Sequence, residues 1–117
     1  MSLRVKWHRR ATRDLQRINE RITQDFGAPT AKRVRTELRQ SARSLALRPF
    51  LLGRSTADPE VRVLSVTLYP YRIYYTVTAV TVVILHIRHS ARLDPDLSEI
   101  GHVHEEPAVY GAPALPR

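Results

Sequence analysis

The chain has 117 residues, the length of a single domain, and no run of about 18 apolar residues that would cross a membrane as a helix. It contains no cysteine, which excludes disulfides and thiolate metal sites. Lys and Arg total 19 against 11 Asp and Glu, a formal net charge of +8. The amino terminus lacks the apolar core of a signal peptide, and together these features predict a cytoplasmic protein.

The charge is unevenly distributed along the chain. Residues 1–54 carry 14 basic and 4 acidic side chains, whereas residues 93–117 carry 1 and 5. Pro and Gly interrupt the pattern after Asp94, so we expect a folded domain over 1–93 and an acidic tail over 94–117. A basic body predicts an anionic partner such as nucleic acid or an acidic protein segment. The alternative is an arginine-rich helical surface that is only solvated.

The first half of the sequence predicts one strand and two helices. Leu3, Val5 and Trp7 alternate with charged residues, which is typical of a short half-buried strand. Apolar residues then recur at spacings of three and four, the period of a helix face: Leu15, Ile18, Ile22 and Phe26. Gly27 is expected to end this helix.

A second helix is predicted from Pro29 to Leu47, ended by Pro49. Its expected buried face comprises Ala31, Val34, Leu38, Ala42 and Leu45. The outward face is basic and comprises Lys32, Arg33, Arg35, Arg39 and Arg43. The short connection between the two helices predicts an antiparallel hairpin.

The second half predicts three strands, at Val61–Leu68, Tyr71–Val77 and Val80–Ile87, after a loop over Phe50–Pro59. The uninterrupted apolar run in the third of these indicates a strand buried on both faces. The order β-α-α-β-β-β predicts an α+β domain in which the helical hairpin packs on one face of a small, mainly antiparallel sheet.

Three segments in this order resemble the RelE/ParE toxins of bacterial type II toxin–antitoxin systems. The first is Val5-Lys6-Trp7 with Asp14-Leu15-Gln16-Arg17-Ile18, and the second is Leu45-Ala46-Leu47-Arg48-Pro49 leading to Gly53-Arg54. The third and most specific is Tyr71-Arg72-Ile73-Tyr74-Tyr75, followed by Ile84 to Arg92. One departure is His8, which stands near the start of the first helix where family members often have Ser or Thr.

The resemblance implies a toxin that a cognate antitoxin holds inactive. ParE-like members inhibit DNA gyrase, whereas RelE-like members cleave mRNA on the ribosome. The long helices are more similar to the ParE branch, so gyrase inhibition is the favoured prediction and ribosome-dependent mRNA cleavage the alternative.

Ribonuclease chemistry needs a base, an acid and cations at the phosphate. If the chain is a ribonuclease, the predicted catalytic residues are Arg72, Arg88 and His89. His86 precedes His89 by three residues and is expected on the opposite strand face, so the two are not expected to share a site. RelE-like toxins carry several lysines or a carboxylate on the second strand, facing the cleft. The catalytic set of this chain looks incomplete by that comparison, because no lysine follows Lys32.

The remaining predictions concern binding. Residues expected to contact the target are Arg62, Tyr74, Arg88 and Arg92, with Tyr74 taken as the surface tyrosine of its strand. Residues expected to contact an acidic antitoxin, in a hetero-oligomeric complex, are Arg35, Arg39 and Arg43. His102 and His104 lack a third ligand nearby, so neither a metal nor another cofactor is predicted.

Overall fold

The structure is a computed structural model that describes residues 3–50, 52–66 and 68–90. The predicted tail over 94–117 therefore lies outside the described residues. Two helices and five strands follow one another along the chain. Their bounds are β1 Arg4–Trp7, α1 Arg9–Phe26, α2 Ala28–Ser44, β2 Arg54–Ser55, β3 Arg62–Ser65, β4 Tyr71–Val77 and β5 Thr81–His89.

The strands form one sheet in the order β1-β5-β4-β3-β2. Three neighbouring pairs are antiparallel, and only β1 pairs with β5 in parallel. The predicted α+β class and the mainly antiparallel sheet are confirmed. The two-residue strand β2 was not predicted, since its residues lie within a segment whose Gly and Pro indicate a loop.

Helix α1 begins after His8, which serves as its N-cap. The His8 Nδ1 atom accepts a hydrogen bond from the backbone N–H of Arg10 at 3.0 Å, the function that Ser or Thr usually performs. The helix ends at Gly27, whose φ of 93° lies in the region that favours glycine. Phe26 was expected in the core but is 72% exposed, because it lies in the last turn of α1 beyond the main cluster.

Helix α2 ends at Ser44, three residues earlier than predicted. The backbone N–H of Leu45 donates to Ala42 O, so the chain tightens into turns instead of continuing the helix. All five residues predicted for its buried face and the following turn are buried: Ala31, Val34, Leu38, Ala42 and Leu45.

The apolar core has two parts. The larger cluster contains the buried residues of both helices together with strand residues such as Ile73, Tyr75 and Ile84. A second cluster contains Val61, Val63, Tyr74, Val83 and Leu85. No buried residue of α1 or α2 belongs to this second cluster. Strands β4 and β5, in contrast, contribute buried side chains to both clusters. This distribution confirms the expectation that β5 is buried on both faces.

Candidate functional site

A cleft lies between helix α1 and the end of strand β5. Strand β1 pairs with β5 only as far as Ile84, so the edge of β5 beyond that residue faces α1 instead of another strand. The cleft has a volume of about 890 Å³. It is lined by Arg10, Arg13, Asp14, Arg17, Ile18, Arg21, Ile22, Asp25, Phe26, Tyr71, His86, Ile87, Arg88 and His89.

Asp14 joins the two walls of this cleft. Its Oδ2 atom accepts a hydrogen bond from the backbone N–H of Ile87 at 3.0 Å and also contacts Nδ1 of His86. The side chains of Asp14 and His86 are each only 11% exposed. The carboxylate thereby satisfies an N–H group on the β5 edge that β1 does not reach. The sequence pattern does not indicate this contact of Asp14, because it joins residues 73 positions apart.

Both strand histidines line the cleft, but they lie on opposite faces of the β4–β5 pair as expected, because His86 pairs with Tyr74 and His89 pairs with Tyr71, three residues apart. The register between β4 and β5 shifts just before them, where Tyr74 pairs with His86 but Tyr75 pairs with Ile84. Leu85 is therefore the extra residue of a β-bulge, which precedes both histidines and leaves their orientation relative to each other unchanged.

The predicted catalytic residues lie close together but on alternate sides of their strands. Arg72 is directly opposite Arg88 in the β4–β5 pair, and Tyr71 is directly opposite His89. The Tyr71 and His89 rings meet edge to face with centroids 5.4 Å apart. Since successive side chains of a strand point to opposite faces, the paired guanidinium groups and the His89 ring diverge.

Arg88 is half-buried, and its Nε atom is buried with no hydrogen-bond partner among the described residues. A buried guanidinium nitrogen without a partner is costly unless an anionic or carbonyl group binds it.

Arg62, predicted to contact a target, also forms hydrogen bonds within the protein. Its Nη2 atom donates to the carbonyl oxygens of Phe50 at 3.0 Å and Gly53 at 2.8 Å. The guanidinium carbon also lies 5.2 Å from the centre of the Phe50 ring. These contacts fix the loop that follows α2. They also occupy the Nη2 donors of Arg62.

The other predicted binding residues differ in exposure. Tyr74, expected at the surface, is 1% exposed because it packs within the second apolar cluster. Arg92 lies outside the described residues. On α2, Arg35 donates to Asn19 of α1, Arg39 is half-buried, and Arg43 is exposed.

Two tyrosines have shifted pKa values. Burial raises the pKa of Tyr71, and the positive charge of Arg21 on α1 partly opposes this shift across the cleft. Burial also raises the pKa of Tyr75, and a hydrogen bond with Arg62 and its positive charge oppose the shift. Within the described residues, no three His, Asp or Glu side chains are arranged to hold a metal ion.

A sequence profile described as ParE toxin of type II toxin-antitoxin system, parDE, matches residues 5–94. The chain belongs to this toxin family. It is thus a toxin of a type II toxin–antitoxin module, in agreement with the resemblance recognised in its sequence. None of the curated proteins compared with the chain matches it. No helix in the described part of this ParE-family toxin is long and apolar enough to span a membrane.

Solved structures show the same fold. The chromosomal ParDE system from P. aeruginosa matches at 24% identity with a TM-score of 0.70, covering 75% of this chain and 96% of that one. The RelBE2 toxin–antitoxin complex from Mycobacterium tuberculosis matches at 21% identity with a TM-score of 0.59, covering 79% of this chain and 95% of that one. A double arginine-to-alanine mutant of E. coli RelE in the free state matches at 14% identity with a TM-score of 0.58, covering 87% of this chain and 93% of that one.

Proposed function

We propose that this ParE-family toxin arrests bacterial growth in the cytoplasm by poisoning DNA gyrase, and that residues 1–93 form the toxic domain. The family match over residues 5–94 carries this proposal. Among the three solved structures compared, the TM-score is also higher for the ParDE system than for either RelE-type protein.

The geometry of the strand ends supports a binding role more than a hydrolytic one. A ribonuclease would need its base, acid and cations to converge on one phosphate. Here Arg72 and Arg88 share one side of the β4–β5 pair, while His89 points to the other. His86, which lines the same cleft, is bonded through Nδ1 to Asp14. Ribosome-dependent mRNA cleavage remains the alternative function, and His89 would be its candidate acid or base.

Arg88 is the residue that we assign first to target binding. Its side chain is only half-buried and lines the cleft, so the guanidinium charge is available to a carboxylate of the target. Arg72 lies directly opposite, and two adjacent guanidinium groups attract an anion more strongly than one. Arg92 follows soon after β5 and is assigned to the same role.

The partner that neutralises the toxin is proposed to be a cognate antitoxin with an acidic segment. Arg43 is exposed on α2 and suits such a contact, together with the half-buried Arg39. Arg35 also holds Asn19 of α1, so it would contribute to the helical hairpin as well as to binding. No cofactor or metal is part of this proposal.

The proposal is tested in cells by induced expression of the toxin without its partner. We expect growth arrest together with relaxed plasmid DNA and intact mRNA, and we expect Arg88→Ala to relieve the arrest. Arg48→Ala removes the same charge from an exposed position elsewhere and should leave the arrest unchanged. Arrest with normal supercoiling and codon-phased mRNA cuts would instead support the ribonuclease alternative.

A further inference from the structure

The strongest unassigned feature is a stripe of arginines along the α1 wall of the cleft. Arg10, Arg13, Arg17 and Arg21 are all exposed, and all line the cleft. Their spacings of three and four residues place them on one side of the helix over about 16 Å. This regularity is unnecessary for packing, because the buried face of α1 is formed by Ala11, Leu15 and Ile22.

These arginines have few partners within the protein. The only ion pair that the described residues give the stripe joins Arg21 Nε to Asp25 Oδ2 at 3.8 Å, between side chains that are 76% and 50% exposed. An exposed pair of this kind is weak and easily exchanged for another anion. The stripe is therefore available to an external partner.

Aromatic rings stand at the cleft beside the stripe. Phe26 follows Arg21 on the helix and is 72% exposed, so its ring is accessible to a base at the cleft. Tyr71 lies on the opposite wall, near enough for the charge of Arg21 to influence it. Cations that follow a groove, with rings beside them, are the combination that binds single-stranded nucleic acid.

We propose that this cleft binds single-stranded nucleic acid, with the four α1 arginines on the phosphates and Phe26 stacked on a base. Arginine rather than lysine suits this role, since its planar fork pairs with two phosphate oxygens at once. The cleft contains five arginines against two aspartates, which gives it a net charge of +3. The inference concerns a binding activity beyond gyrase inhibition and does not depend on that proposal.

The first test is the salt dependence of binding by the full-length protein to a fluorescent single-stranded oligonucleotide. Four phosphate contacts predict a slope of log K against log salt of about −3, or an affinity loss of about 50-fold between 50 and 200 mM salt. The assay is run with DNA and with RNA strands of the same sequence, which shows whether the cleft distinguishes the two nucleic acids. Preference for either, or equal binding to both, is consistent with the proposal.

Charge-removing variants distinguish binding by the arginine stripe from binding by the overall positive charge of the protein. The quadruple substitution Arg10→Gln, Arg13→Gln, Arg17→Gln and Arg21→Gln should remove most of the slope, with the fold checked by circular dichroism. The matched control changes four exposed arginines elsewhere to Gln, namely Arg4, Arg33, Arg48 and Arg54. It should keep most of the slope. An equal loss in both variants would overturn the proposal.

Phe26→Ala tests the stacking contact independently. We expect binding at least about fivefold weaker at every salt concentration, with an unchanged slope, because no charge is removed. Two results would contradict the proposal: unchanged affinity in this variant, or binding of a glutamate-rich peptide of equal length and charge as tightly as the oligonucleotide. The latter would assign the cleft to an acidic protein segment.

Discussion

Gly53 lies so close to Tyr75 that a Cβ atom at position 53 would stand 1.8 Å from the tyrosine hydroxyl oxygen. That hydroxyl donates a hydrogen bond to Pro49 O at 2.5 Å. The loop after α2 is therefore fixed against strand β4 by contacts that only glycine permits. The sequence places Gly53 four residues after Pro49. This spacing has a steric basis, because both residues lie against the Tyr75 hydroxyl.

Gly53→Ala should lower the free energy of unfolding by about 1–3 kcal/mol, because the added methyl group displaces the Tyr75 ring or the loop. Chemical denaturation measures this change. The neighbouring exposed substitution Arg54→Ala serves as the control and should stay within about 0.5 kcal/mol of the parent protein. Equal stability of the Gly53→Ala variant and the parent would show that the loop has room to move away.

Asp14→Ala should destabilise the protein by about 1–3 kcal/mol, since it leaves the Ile87 N–H and the His86 ring without their acceptor. Amide hydrogen exchange at Ile87 should accelerate in the variant. Asp25→Ala removes an exposed carboxylate from the same helix and should have little effect. Unchanged exchange at Ile87 would contradict the assigned role of Asp14.

Arg62→Gln distinguishes a structural arginine from a target-binding one. It removes the donors to Phe50 O and Gly53 O, so we expect a loss of about 1–3 kcal/mol in stability and faster proteolysis of the loop after α2. Arg43→Gln, at an exposed site, should have neither effect. Full stability combined with lost toxicity would show that Arg62 contacts the target and is not needed for the fold.

Alkaline pH should destabilise the fold from about pH 10 upward. The pKa values of Tyr71 and Tyr75 are raised above the ordinary value of 10.0, so above that pH the unfolded chain loses these protons first. Since the folded state then binds more protons, the free energy of unfolding falls as pH rises. Thermal melts between pH 9 and 11 should show a smaller decline for Tyr75→Phe. An identical decline in both proteins would contradict this assignment.

Periodic apolar residues predicted the helical core, and Ala31, Val34 and Leu38 are buried as expected. The period of two in β4 placed Tyr74 opposite Tyr75 but could not show that both faces are buried. The β-bulge at Leu85 has no glycine or proline to mark it, so it was not predictable from the sequence. Long-range contacts such as Asp14 with Ile87 depend on how α1 crosses the sheet edge.

The most direct test of the gyrase assignment uses the purified full-length protein in two parallel assays, gyrase supercoiling and mRNA cleavage on ribosomes. We expect supercoiling to be lost at toxin concentrations that leave the mRNA intact, and Arg88→Ala to restore it while melting at the temperature of the parent protein. Codon-phased cleavage with normal supercoiling would contradict the assignment, and His89 would then be the first residue to substitute.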